Sequence, residues 1–146
     1  MNKLFIISAI LFLSCSISAV SQTKFKADDI IGQWYTADSR AVVEIFKKDD
    51  KYCGKIVWVN EKDRGKKDVK NPNEKLRTRL IEGITFMKGF TFNEEDQCWE
   101  KGKVYDPESG NIYGGTLKLK DKNNMDLRGY VGITLLGRTE AWKRKK

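Results

Sequence analysis

The clearest regularity in this chain is a two-residue alternation of apolar and polar side chains that begins near Ile31. This period is typical of β-strands that turn one face to a core and the other to water. In one run Leu117 and Leu119 share a face, whereas Lys118 and Lys120 share the other. Eight runs of this type are found, at 32–38, 41–48, 51–59, 84–92, 97–105, 111–120, 125–132 and 136–145.

Most connections between the runs are short and rich in turn residues. They are KDD at 48–50, NEED at 93–96, DPESG at 106–110 and DKNN at 121–124. Connections of this kind join antiparallel neighbours, so consecutive runs are expected to pair as hairpins. Eight such strands close into a small barrel that is either filled by side chains or holds one small ligand. The sequence therefore predicts an all-β, eight-stranded, antiparallel up-and-down barrel.

The one long connection, residues 60–83, carries helix signals. Asn71 can cap a helix, Pro72 suits its first position, and Gly83 suits the C-terminal cap. We therefore predict one short amphipathic helix over 71–83, lying across one end of the barrel.

Two arginines of this helix are candidates for ligand contact. At 100° per residue Arg77 falls on the same face as the leucines, and Arg79 lies at the flank of that face. Arg77 is thus predicted to point toward the barrel. A guanidinium group placed there either holds a carboxylate or phosphate head group, or forms a structural ion pair with an acid such as Asp68 or Asp106. Both interpretations stay open.

The remaining candidates lie on the strands. Arg128 and Tyr130 alternate onto one face of their run, and Tyr113 lies on the apolar face of another. Together with Arg77 and Arg79 they form the predicted ligand-binding set, in which Arg77 and Arg128 contact the head group. The predicted ligand is a small amphipathic or anionic molecule whose apolar part enters the barrel.

The absence of histidine limits the chemistry of this chain. Histidine is the commonest general base and the commonest metal ligand. The GxSxG, P-loop, Rossmann and CxxC patterns are also absent. Acid–base work would fall to residues such as Tyr105 and Asp106, whose spacing does not favour it. We predict a non-catalytic protein that uses no cofactor and no metal.

The N-terminus has the pattern of a secretory signal peptide over residues 1–21, with Lys3 before an apolar stretch and small residues before Gln22. The apolar stretch is shorter than the roughly 20 residues of a transmembrane helix, and no later run reaches that length. We expect a periplasmic or secreted protein with a single domain over 22–146. Cys15 lies in FLSC, which loosely resembles a lipoprotein cleavage box, so lipid anchoring through Cys15 is the alternative.

Two cysteines, Cys53 and Cys98, remain after such a cleavage. An even pair in an oxidising compartment invites a disulfide. The bridge requires that the two strands carrying these cysteines be neighbours. The alternative is two free, half-buried thiols.

The formal net charge is +8, and removal of residues 1–21 takes away only Lys3, which leaves +7. Such a basic surface attracts an anionic envelope surface weakly and in a salt-dependent manner. The alternative function is therefore an envelope interaction protein with a filled barrel and no ligand. Export argues against nucleic acid as a partner. The lysines that spread this charge are at positions 62, 66, 67, 118, 120, 122, 143, 145 and 146.

Two short features resemble the calycin superfamily, which includes the lipocalins. Gly32-Gln33-Trp34 opens the first run, and Arg138 lies in the last run. In lipocalins the tryptophan of this motif lies across the closed end of the barrel, with a basic residue of the final strand packed over it. The resemblance implies a cation–π contact between Arg138 and Trp34.

Longer motifs cover nearly the whole mature chain. They resemble a family of exported bacterial proteins known as domain of unknown function 2147. This resemblance implies a calycin-like barrel, but it brings no established activity or site. The motifs are YxGKIVW at 52–58, NPNEKLRTR at 71–79, KGKVYDPESGNIY at 101–113 and LRGYVGITLLGRTEAWKR at 127–144.

Overall fold

The computed structural model describes residues 24–132 and 137–146, so the predicted signal peptide and Cys15 lie outside it. Eight antiparallel strands form a closed barrel in which each strand pairs with its neighbour in sequence and the last pairs with the first. The predicted all-β up-and-down barrel is confirmed. The strands are β1 (Gly32–Tyr35), β2 (Ala41–Lys48), β3 (Lys51–Val59), β4 (Thr85–Asn93), β5 (Cys98–Asp106), β6 (Asn111–Leu119), β7 (Asn124–Tyr130) and β8 (Gly137–Arg144).

The alternation in the sequence sets the inner and outer faces of the strands. In β6, Leu117 and Leu119 are buried in the core, whereas Lys118 between them is exposed. The turns also follow local chemistry, since Asp49 and Asp50 between β2 and β3 both adopt positive φ values, 50° and 57°. Two successive positive φ values make a type I′ turn, whose twist matches that of a β-hairpin.

The closed end of the barrel is plugged by a 3₁₀ helix, Ala27–Ile30, that precedes β1. Two buried tryptophans hold it in place by donating from their indole nitrogens to its backbone. Trp34 Nε1 donates to the carbonyl oxygen of Ile30, and Trp99 Nε1 donates to that of Ala27, each at 3.0 Å. Side chains therefore fill this half of the barrel.

Arg144 covers the seam between the first and last strands. Only two residue pairs join β1 to β8, including Trp34 with Arg144. The Arg144 guanidinium lies 4.1 Å from the Trp34 ring centroid and donates to the carbonyl oxygens of Asp29, Ile31 and Lys122 at 2.6, 2.8 and 2.6 Å. One side chain thus ties together the plug, the β6–β7 turn and β8.

The predicted contact between Arg138 and Trp34 is therefore wrong. A basic residue of the final strand does cover the tryptophan, but it is Arg144. Arg138 lies six positions before Arg144, roughly 20 Å along an extended strand. Its side chain is 86% exposed, and its nearest ion-pair partner is Glu140 at 3.6 Å.

Of the two alternatives for Cys53 and Cys98, the disulfide does not form, and both cysteines are free and buried. Cys53 lies on β3 and Cys98 on β5, with β4 between them. Two strand spacings separate such residues by roughly 10 Å, beyond the reach of a disulfide. The structure has the alternative, two free thiols.

The predicted helix over 71–83 shrinks to a single 3₁₀ turn, Glu74–Leu76, capped by Asn73. Farther along, Leu80 forms an isolated β-bridge with Lys67 and is half exposed. This connection, residues 60–84, is therefore a folded-back loop and not a helical lid. In the described part of the chain, no helix has the length and apolar character needed to cross a membrane.

Arg144→Met is expected to lower the free energy of unfolding by about 2 kcal/mol, because it removes charged hydrogen bonds and the cation–π contact together. Arg138→Met is the matched control on the same strand and should change it by less than about 0.5 kcal/mol. Urea denaturation of both variants gives the two values. Equal losses would contradict the role given to Arg144.

Candidate functional site

The space beside three glycines on the inner wall shows which part of the barrel is filled by side chains and which part is empty. A side chain at Gly102 would collide with the ring of Phe90, and one at Gly115 would meet Phe90 and Val104. A Cβ atom at Gly129, in contrast, would have no atom within 4 Å. Gly129 therefore borders empty space, and its φ lies outside the left-handed region, so a larger side chain could stand there without backbone strain.

The empty space is a cavity of about 470 Å³ at the open end of the barrel. Its size falls within the roughly 300–1,000 Å³ range of small-molecule sites in proteins. Much of its wall is apolar. The apolar side chains that line it include Val43, Ile56, Phe86, Val104, Leu127 and Trp142.

Strand β8 carries the polar side chains that descend into this cavity. Arg138, Glu140 and Trp142 pair in register with Gly129, Leu127 and Met125 of β7. Their exposure falls steadily with depth. The Arg138 and Glu140 side chains are 86% and 37% exposed, and Trp142 is 2% exposed.

Trp142 differs from the two tryptophans at the closed end, because its Nε1 has no hydrogen-bond partner and is shielded from solvent. A buried N–H group without an acceptor costs about 1–3 kcal/mol. Because Trp142 nevertheless lines the cavity, the part of its ring that faces the empty space is carbon.

An ion-pair cluster braces the rim of the open end. Arg40, in the β1–β2 turn, donates two hydrogen bonds to Asp63 at 2.8 and 2.9 Å and one to Glu108 at 3.0 Å. Lys66 adds a contact to Asp63 at 2.6 Å. These cations hold the pKa of the Asp63 carboxyl far below its usual value. The cluster joins three connections at the rim, namely β1–β2, β3–β4 and β5–β6.

Asp68 anchors the 60–84 connection to the barrel and is completely buried. It accepts hydrogen bonds from the Tyr105 hydroxyl at 2.5 Å, the Asn71 amide at 2.8 Å and Arg79 Nε at 2.9 Å. Burial raises the pKa of Asp68, but these donors outweigh it, so the pKa lies below the usual 3.8. Burial and the Asp68 carboxylate raise the pKa of Tyr105 to about 12, so its hydroxyl remains a donor.

The structure separates the predicted ligand-binding residues. Tyr113 and Tyr130 line the cavity, and the Tyr130 ring also covers Gly114. Arg128 does not line it, since its Nη1 donates to Thr139 Oγ1 at 3.1 Å. Arg79 is occupied by Asp68.

The predicted inward orientation of Arg77 is wrong. Its Nε donates to the Asn71 carbonyl oxygen at 2.8 Å, and its Nη1 lies 3.3 Å from Glu74. Its side chain is 44% exposed because the segment forms a short turn and not a helix with an apolar face. Arg77 thus forms a structural ion pair and does not point into the barrel. Its partner is Glu74, and not Asp68 or Asp106.

Glu140, Trp142 and Gly129 were missed as site residues. The alternation in the last run does place Glu140 and Trp142 on one face with Arg138, so that signal could have found them. Gly129 had no such signal, because its neighbours across the barrel decide whether its missing side chain leaves a gap.

Comparisons with known proteins agree with the barrel fold. Residues 32–144 match the family described as "Uncharacterized protein conserved in bacteria (DUF2147)". The fold is similar to a solved structure titled "Protein HP1028 from the human pathogen Helicobacter pylori belongs to the lipocalin family". That match has a TM-score of 0.72 and 23% identity, and it covers 80% of this chain and 82% of the other. A search of the curated proteins finds no match.

Asp68→Asn is expected to lower the free energy of unfolding by about 3 kcal/mol at pH 7, because it removes a buried charge that satisfies three donors. Since folding lowers the pKa of Asp68, its contribution is present above the usual pKa and is lost as pH falls below it. The difference between variant and wild type should therefore shrink between about pH 5 and pH 2.

Urea unfolding across that pH range measures this difference. Asp50→Asn, in the exposed β2–β3 turn where positive φ suits asparagine, is the matched control. A deficit in Asp68→Asn that is independent of pH would contradict the charged role of Asp68.

Proposed function

Because the chain belongs to the DUF2147 family of bacterial proteins and folds as a lipocalin-like barrel, we propose that it is an exported, non-catalytic protein that binds a small amphipathic molecule. The ligand occupies the cavity at the open end of the barrel, with its apolar part among the buried side chains. Its polar group lies near the rim.

The observation that carries this proposal is the empty space beside Gly129. The same barrel closes two other inner-wall glycines with the ring of Phe90, so the fold can fill such gaps with side chains. The barrel leaves the space beside Gly129 open, and Val104, Leu127 and Trp142 line this space. An apolar cavity open at one end suits a ligand with one apolar end and one polar end.

The positions of the arginines argue against an anionic head group on the amphipathic ligand. Arg77, Arg79 and Arg128 are not among the residues that line the cavity. Arg138 does line it, but its guanidinium group is almost fully in water. Among the described residues that line the cavity, an anion would therefore meet one cation, Arg138, whose charge is screened by water.

The non-catalytic part of the proposal is supported by what the polar residues already do. Tyr105 donates to Asp68, and Asp106 accepts from Ser109 within the β5–β6 turn. Tyr105 and Asp106, the candidates for acid–base chemistry, are thus both engaged in hydrogen bonds within the protein. Lipocalin-like folds in general bind rather than transform their ligands. The export proposal is supported by the signal-peptide pattern of residues 1–21.

A second candidate function, binding of an anionic envelope surface, is favoured by a groove on the outside of the barrel. Lys88 on β4 lies directly opposite Lys103 on β5, an arrangement that destabilises a sheet. Within the described residues, neither lysine has a carboxylate within ion-pair distance. Arg79 and Ile112 line the same groove, whose volume is about 260 Å³. A phosphate or carboxylate of the envelope would relieve this repulsion.

Gly129→Phe should weaken cavity binding, because the ring would occupy the space that the ligand needs. We expect the affinity for a neutral apolar probe, N-phenyl-1-naphthylamine, to fall at least about tenfold. Fluorescence titration measures this. Lipid extraction and mass spectrometry of protein purified from its own host would identify the natural occupant, which the variant should lack.

Lys143→Phe is the matched control, since it adds the same ring to an exposed position of β8. It should bind the probe as the wild type does. Equal binding by Gly129→Phe and wild type would remove the cavity from the proposal.

Lys103→Glu should raise the free energy of unfolding by about 0.2–1 kcal/mol, because it turns a repulsive cross-strand pair into an attractive one. The same change should weaken binding to vesicles that contain an anionic lipid. Thermal unfolding and vesicle sedimentation measure the two effects. Lys143→Glu makes the same charge change away from the groove, and an equal loss of vesicle binding in that variant would contradict a role for the groove.

A further inference from the structure

We propose that the polar group of the cavity ligand is a protonated amine, which Glu140 holds by a charge-assisted hydrogen bond. This inference rests on the proposed function, since it names the chemistry of the molecule that occupies the same cavity. The proposed head group is a cation, whereas the arginines in the sequence had led us to expect an anion.

The inference starts from the depth of the charges on β8. Glu140 lies on the inner face, one inward position above Trp142 and one below Arg138. Its carboxylate is therefore deeper in the barrel than the guanidinium group, as their exposures of 37% and 86% also indicate. A ligand that reaches the apolar floor must pass the carboxylate.

The other charged groups at the mouth leave Glu140 available. Arg138 approaches it only to 3.6 Å, longer than a good charge-assisted hydrogen bond. Asp106, the other carboxylate of the wall, already accepts from Ser109 and from the Glu108 backbone. Among the residues that line the cavity, Glu140 is thus the deepest charged group still able to take a hydrogen-bond donor.

Aromatic side chains complete a surface that suits a cation. Phe86, Tyr113 and Trp142 all line the cavity, and Trp142 presents ring carbon because its nitrogen is shielded. Aromatic faces attract ammonium groups, and a nearby carboxylate adds to that attraction.

The opposite charge fits this wall poorly. A carboxylate or phosphate on the ligand would lie beside Glu140, where like charges repel and water is partly excluded. The basic character of the whole chain does not reverse this local preference. At physiological salt the field of an exposed charge is largely screened beyond about 8 Å, so lysines on the outer surface contribute little inside the barrel.

Three probes with the same ten-carbon chain test the head group, namely decylamine, decanol and decanoate. Calorimetric titration below their aggregation concentrations, at 0.15 M salt and pH 7, gives each dissociation constant. We expect decylamine to bind about tenfold more tightly than decanol and decanoate to bind most weakly, because hydrogen bonds to charged groups add roughly this factor.

Glu140→Gln should lower the affinity for decylamine about tenfold, leave decanol within about twofold, and improve the binding of decanoate. Glu44→Gln is the matched control. Glu44 lies on β2 between the buried Val43 and Ile45, so it faces outward. It makes the same charge change without altering the cavity and should leave all three affinities unchanged.

The outcomes separate this inference from the proposed function. If wild type binds decanol or decanoate at least as tightly as decylamine, or if Glu140→Gln binds decylamine unchanged, the amine assignment is overturned even though cavity binding stands. The order of the three affinities for the wild-type protein tests the amine assignment even if the Glu140→Gln variant does not fold. If decanol binds Gly129→Phe as well as wild type, the proposed function itself fails.

Discussion

Closure of the barrel depends on the short seam between β1 and β8. Two residue pairs join these strands, the Lys145 N–H adds a bond to the Gln33 carbonyl oxygen, and the Arg144 side chain reaches the plug, the β6–β7 turn and the Trp34 ring. Closed antiparallel sheets have no free edges, but they need such a joint. Because the joint and the plug lie at one end, side chains fill that end densely. The space that a ligand could use is left at the other end.

The 60–84 connection supports that open end from outside. Two buried or nearly buried carboxylates, Asp63 and Asp68, hold it to the barrel through Arg40 of the β1–β2 turn and Tyr105 of β5. Buried carboxylates of this kind specify position, because each is costly unless every donor is in place. The arginines and tyrosine of this region thus have a mechanical role. The rim is consequently set before any ligand arrives, which reduces the ordering that binding would require.

The sequence was informative wherever a local period decided the structure. The strands, their order and their inner faces followed from the alternation and from turn residues such as Asp49 and Asp50. It failed where distant partners decide. The helix signals around Asn71 act only locally: its Oδ1 accepts from the Asn73 N–H and its amide donates to buried Asp68, while the segment forms one 3₁₀ turn. The partner of Trp34 was predicted wrongly, and the choice between a disulfide and free thiols stayed open, because both depend on strand order and register across the barrel. Of the site, Glu140 was within reach of pattern reasoning, whereas the gap at Gly129 was not.

The three buried indoles differ in a way that has a spectroscopic consequence. Trp34 and Trp99 are enclosed at the closed end and bonded to backbone carbonyls, so their surroundings are independent of the cavity. Trp142 is buried in the wall of the cavity, with ring carbon toward the empty space. A hydrocarbon chain that fills the cavity changes the polarity sensed by this chromophore and leaves the other two buried indoles as internal standards. The barrel therefore contains its own optical reporter of whether it is occupied.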